Sequence, residues 1–162
     1  MDERERAHAE LAGRYLPEEL LERFRARAAG YDEENRFFEE DFEELRQRGY
    51  LTMLVPQEHG GAGVSINQAA RLQQRLAGAA PATALGINMH LLCLAVARVM
   101  VERGDDAVNH VFDEAMHGGV FAFGISEPAN DWVLQGSAWS RPRRSRPPAR
   151  WPRGAAMWAC WP

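Results

Sequence analysis

Apolar residues recur every three to four positions through most of the first 117 residues, the spacing of a single helix face. Pro17, followed by Glu18 and Glu19, suits the first turn of a helix. Leu20, Leu21, Phe24 and Ala28 give that helix one apolar side, and Gly30 is expected to end it. Asp32 is placed to cap a second helix reaching about Arg48. Its stripe is Phe37, Phe38, Phe42 and Leu45, and Glu39, Glu40, Asp41, Glu43 and Glu44 read as its solvated outer face. Ser65 with Gln68 spells a capping box before Ala69, Leu72 and Leu76. Pro81 and Thr83 open a fourth helix, about Ala82 to Arg103, apolar nearly all round and therefore expected in the middle of a bundle. Asp105 is expected to cap a further helix to His117, closed by Gly118-Gly119. The period then changes. Val120-Phe121-Ala122-Phe123-Gly124-Ile125 is short, aromatic and β-branched between glycines, the text of a strand.

One stretch interrupts the helices sharply: Val55-Pro56-Gln57-Glu58-His59-Gly60-Gly61-Ala62-Gly63. Pro56 pushes Val55 toward an extended shape, and the glycines permit positive φ or a close approach to a ligand or another segment. Taken alone, it is a connector between helices. The resulting organisation is a frayed segment over 1–16, a helical domain over 17–118, an opening strand over 119–136 and a tail over 137–162.

Charge sharpens the last boundary. Up to Gly136 there are 13 arginines and 23 acids; beyond it there are six arginines and no acid. The tail holds five prolines, five alanines and four tryptophans, and no Leu, Ile, Val, Phe or Tyr. No helical or strand period fits it, and no core can be built from it. Arg, Pro, Ala and Gly are encoded by GC-rich codons, and the chain has no lysine. The expectation is a disordered tail read out of frame, the protein ending prematurely. Translation of the other two frames past codon 137 tests this. Cys93 and Cys160 lie in unlike contexts and read as free thiols of a reducing cytoplasm. No apolar run is taken as membrane-spanning, the best being Leu91 to Val101 with Arg98 inside it.

The chemistry-bearing residues are few. His59, His90, His110 and His117 include no pair at close helical spacing and no accompanying Cys/Asp pattern, so no metal is expected. The glycine loop lacks the Lys and Ser/Thr of a phosphate loop. Nothing in the spacing supports a Ser-His-Asp triad at Ser65 or Ser126. His90, within Asn88-Met89-His90, reads first as a buried, hydrogen-bonded histidine.

Two signatures at the right separation, "VPQEHGGAG" and Gly124-Ile125-Ser126-Glu127-Pro128-Ala129-Asn130-Asp131, give the chain its family likeness. From about Leu20 to Ser137 it resembles the N-terminal half of an acyl-CoA dehydrogenase-like flavoprotein, whose comparable strand reads T-E-P-x-x-G-S-D. Ser126 keeps the hydroxyl of the threonine. The Glu127–Asp131 segment is two residues shorter than the family form, and Asn130 stands where serine is usual. The resemblance implies a mainly α N-terminal bundle followed by the start of a β-domain. It implies FAD, with Phe123, Ile125 and Ser126 along the flavin ring, and a substrate-facing role for His90. It also implies dehydrogenation across Cα–Cβ of an acyl-CoA thioester. A glutamate takes the α-proton, a hydride goes to flavin N5, and hydrogen bonds to the thioester carbonyl acidify the α-carbon. In the family a C-terminal four-helix bundle supplies that glutamate and the homo-oligomer contacts. No acid follows Asp131, Glu127 reads as structural, and no catalytic residue is assigned, so this polypeptide alone is expected to be inactive. Two other readings stand beside it. One is a flavin-dependent monooxygenase of the same fold, for which the shortened 127–131 segment leaves room. The other is a non-enzymatic helical module with a basic arm, although no nucleic-acid or membrane partner is expected.

Overall fold

The Asp2 carboxylate accepts from the Arg4 amide at 2.6 Å and the Glu5 amide at 3.0 Å, and the Glu5 carboxylate accepts from the Asp2 amide at 3.3 Å. That reciprocal cap satisfies donors a helix start leaves orphaned. The computed structural model describes residues 2–122 and 159–161, and in it α1 runs Glu3–Tyr15. The expectation of a frayed segment over 1–16 is corrected. Besides the cap, the helix is held at its far end, where Tyr15 and Leu16 are fully buried. The Tyr15 ring meets Tyr50 edge-on at 6.1 Å, and Arg75 Nε donates to the Leu16 carbonyl at 3.2 Å.

Helix α2 spans Glu18–Glu34 and α3 spans Glu39–Gln47. Gly30 therefore does not end α2, and Asp32 lies in its last turn instead of capping α3. Glycine permits a break without requiring one. The buried face of Leu20, Phe24 and Tyr31 runs past Gly30, so packing carries the helix on until Asn35 turns left-handed at φ 46°. Helix α4, Ile66–Ala77, starts where expected. The Gln68 amide donates to Ser65 Oγ at 3.3 Å and the Ser65 amide to Gln68 Oε1 at 3.2 Å. Its Ala69, Leu72 and Leu76 are buried, each leucine contributing roughly 1.5–3 kcal/mol by leaving water.

Helix α5 runs Pro81–Glu102 with Pro81 in its first turn. By length and composition it is apolar enough to cross a membrane, which corrects the statement that no such run exists. Here it packs as a core helix against α3, α4 and α6, with Ile87, His90, Leu91, Cys93, Leu94 and Ala97 buried. It is not covered all round: Leu85 is 76 % exposed, Leu92 45 % and Met89 37 %. The expected Asp105–His117 helix is divided. Asp105 caps a 3-10 turn over Asp106–Val108, and α6 follows at His110–Met116.

Residues 1–119 form one compact unit and 120–162 a second. In the second, β1 (Val120–Ala122) pairs antiparallel with β2 (Ala159–Trp161), Phe121 opposite Cys160. The expected opening strand is present as far as it is described. The expected absence of regular structure in the tail is not met at 159–161: a ladder uses backbone groups that every residue but proline supplies in full, so composition did not forbid it.

Candidate functional site

The glycine loop closes on itself. Pro56 leads into a 3-10 turn at Gln57–His59, and Gly60 follows at φ 85°. The Gly61 amide donates to the Pro56 carbonyl at 3.1 Å, Gly63 to Val55 at 2.9 Å and Val64 to Met53 at 2.9 Å. Three of the amides that could have cradled an anion are thus spent inside the loop. A Cβ on Gly61 would lie 2.1 Å from the Val55 carbonyl oxygen, so the close approach the glycines permit is to the loop's own backbone. The loop also braces α6: His59 Nδ1–H donates to Asp113 Oδ1 at 3.2 Å, and the His59 ring lies 5.1 Å from that of Phe112.

His90 is buried, and its Nε2–H donates to the Leu51 carbonyl at 2.9 Å. Burial holds its pKa below the ordinary value, opposed by that hydrogen bond. It therefore sits neutral and fastens α5 to the link that enters the glycine loop. Phe123, Ile125 and Ser126 lie outside the described residues, as does the 127–131 segment. Among the described residues no group of three or more His, Cys, Asp or Glu could hold a metal.

Sequence reasoning missed a buried polar cluster. Asp41 was expected on the solvated face of α3, yet it is fully buried. Its Oδ1 accepts from Arg27 Nη2 at 2.9 Å and from the Tyr31 hydroxyl at 3.1 Å, and its Oδ2 accepts from the Thr83 hydroxyl at 2.9 Å. Arg27 also reaches Glu44 at 2.6 Å, and Tyr31 also reaches Glu40 at 3.1 Å. Burial raises the Asp41 pKa, while the Thr83 hydroxyl, Arg27 and Tyr31 oppose it. The cluster ties α2, α3 and α5 together. Its signal was legible: Asp41 falls three residues after Phe38 and four before Leu45, on the inward stripe.

Two open depressions mark the helical unit. One, about 310 Å³, lies between Ile66 and the Ala95–Arg103 part of α5. The other, about 370 Å³, lies between α1 and Ala62–Gln68, with Arg14 and Glu10 at its wall. Beside the second, α4's first turn is engaged by its own capping box. These described residues do not by themselves form a dinucleotide cradle.

Six helices with an internally bonded glycine turn, followed in the chain by a short strand, define a helical domain. Residues 2–123 match the family described as acyl-CoA dehydrogenase, N-terminal domain, and the chain belongs to that family. It is 34 % identical over 119 residues to a Bacillus subtilis (strain 168) protein described as "Putative acyl-CoA dehydrogenase YdbM", covering 74 % of this chain and 28 % of that protein. The chain thus spans a little over a quarter of that relative's length. No solved structure matches it significantly.

Proposed function

We propose that residues 2–122 are the helical part of an FAD-dependent acyl-CoA dehydrogenase, which in a complete fold walls the acyl-CoA and flavin site. The observation that supports this best is that the family match, 2–123, runs the length of the helical unit and into its first strand. In that setting FAD would supply hydride acceptance, and Phe123, Ile125 and Ser126 would line its ring. From the described fold, the α5–Leu51 tie through His90 and the Asp41 cluster would hold the apolar α5 rigid beside the acyl chain, so His90 would shape the substrate wall from behind. We further propose that the 162 residues by themselves do not turn over acyl-CoA: the resemblance requires a glutamate base, and no acid follows Asp131. We also propose a cytoplasmic location and no nucleic-acid or membrane partner.

The test grafts residues 2–122 in place of the matching segment of the Bacillus subtilis relative. A chimera that retains flavin and is bleached anaerobically by an acyl-CoA supports the assignment. One that folds and holds flavin but is never bleached by an acyl-CoA sinks it. Oxygen consumption by the reduced chimera with hydroxylated product would favour the monooxygenase reading. The isolated chain is expected to carry no flavin through gel filtration, and stoichiometric flavin with bleaching would refute its inactivity.

A further inference from the structure

The inward stripe of α4 contains one residue that does not fit it. Ala69, Leu72 and Leu76 are buried, and Gln73 stands among them, four residues after Ala69 and three before Leu76, where an apolar side chain is the ordinary choice. The glutamine is half-buried and uses both ends of its amide. Its Oε1 accepts from the Tyr50 hydroxyl at 2.9 Å, and its Nε2 donates to the Ala84 carbonyl at 2.7 Å. A backbone carbonyl can only accept, so Ala84 fixes which way the amide faces. Tyr50 is fully buried, and burial pushes its phenol pKa up, so the hydroxyl keeps its proton to donate.

The bridge reaches α5 near an end that no side chain caps. Thr83 is tied to Asp41, and Ala84, the next residue, to Gln73. Further along, His90 donates to the carbonyl of Leu51, the chain neighbour of Tyr50. Two consecutive residues of the link into the glycine loop therefore grip α5, Tyr50 through Gln73 and Leu51 directly. The gripped positions, 84 and 90, lie about 9 Å apart along the helix axis and about 120° apart around it. A single grip would leave the helix free to turn about the contact. Two so placed fix both its rotation and its advance along the axis. Leu85 and Met89 lie between them in the chain and are exposed.

Resting on the assignment of α5 to the acyl-chain wall, we infer that Gln73 is a positioning residue of that wall. By joining Tyr50 to the Ala84 carbonyl it sets the rotation and depth of α5, and so where Leu85 and Met89 stand relative to the acyl chain. This role separates from stability. Removing one partner of a buried hydrogen bond strands the other, whereas replacing both by apolar groups of similar shape is nearly neutral. Tyr50→Phe combined with Gln73→Leu removes both, so the double variant regains the stability that either single change loses. The grip on Ala84 stays absent in it.

The test has two arms. In the full chain, amide hydrogen exchange over residues 81–90 is expected to quicken at least about fivefold in Gln73→Leu and in the double variant, although the double variant unfolds in urea at the parent's midpoint. Unchanged exchange overturns the inference. In the chimera with the Bacillus subtilis relative, both variants and Gln73→Glu are expected to keep their flavin and a kcat within about twofold of the parent chimera, with KM for acyl-CoA raised at least about fivefold. Gln73→Glu belongs with them because a carboxylate still accepts from Tyr50 but has no proton for the Ala84 carbonyl. A parent-like KM in the double variant means that Gln73 serves stability alone, which overturns the inference while a bleached parent chimera leaves the functional assignment standing. A parent chimera that folds and holds flavin but is never bleached sinks that assignment, and the positioning role with it.

Discussion

Replacing Asp41 by alanine removes an anion that three donors share. The Thr83 hydroxyl, 1 % exposed, loses its Asp41 acceptor at 2.9 Å. Arg27 and Tyr31 lose one partner each but retain Glu44 and Glu40. Breaking a buried ion pair costs about 3–5 kcal/mol when a charge is stranded. Arg27 is not stranded here, so the lower end applies, about 3 kcal/mol, including roughly 1 kcal/mol or more for the orphaned hydroxyl. For a domain of this size the melting temperature should fall by roughly 10 °C. Asp41→Asn keeps the shape and one acceptor and should cost about 1–2 kcal/mol. The control is Glu39→Ala, in the same acidic run but exposed, expected within about 0.5 kcal/mol of the parent. Urea unfolding followed by circular dichroism measures all three. If Asp41→Ala and Glu39→Ala unfold within about 1 kcal/mol of each other, roughly the error of such comparisons, the cluster does not hold the helices and the argument fails.

Other changes separate structural roles that the sequence alone confounds. Gly61→Ala would press a Cβ to 2.1 Å from the Val55 carbonyl oxygen, where only backbone can yield, and should cost about 1–3 kcal/mol or more in the same assay. Gly30→Ala meets nothing within 4 Å inside α2 and should stabilise by about 0.5–1 kcal/mol; a loss would mean that α2 does break there. Burial depresses the His90 pKa below its ordinary 6.5, so the folded state resists a proton the unfolded chain accepts. Stability should be full above about pH 6.5 and fall as the pH drops below it, a slope that His90→Gln should lack. Asp41 has the opposite sense for an acid: with its pKa raised above 3.8, the folded state holds the proton more tightly, so its contribution declines as pH rises from that value through the raised one. Asp41→Asn should remove that slope. The buried Cys93 thiol, pushed up to about 11, should resist alkylation in the native protein and react on unfolding, as peptide mapping would show.

Where the sequence was legible, a local rule and the packing agreed. Ser65 and Gln68 form their cap because both partners lie within one turn, and Pro81 opens α5 because its missing amide is no loss there. The early helices were misread where the deciding interaction came from another element. Gly30 and Asp32 look like a stop and a start, but α2 continues through them because Tyr31, just past Gly30, is buried on its inward face and donates to Asp41 on α3. Asp41 sits in a run of glutamates, and only its position relative to Phe38 and Leu45 separates the residue turned inward from its solvated neighbours. Helix α5 is the converse case. Its composition places it in a core, and one side obeys. Periodicity, however, reports only that a face is apolar, never what will cover it, and the Leu85–Leu92 side is left open by the helices around it. The site residues were less legible for the same reason. His90 could be named from the sequence, but whether a histidine meets a ligand or a carbonyl depends on residue 51, thirty-nine positions away. A buried polar group takes its role from the partner that satisfies it, and that partner is a property of the fold, not of the segment that carries the residue.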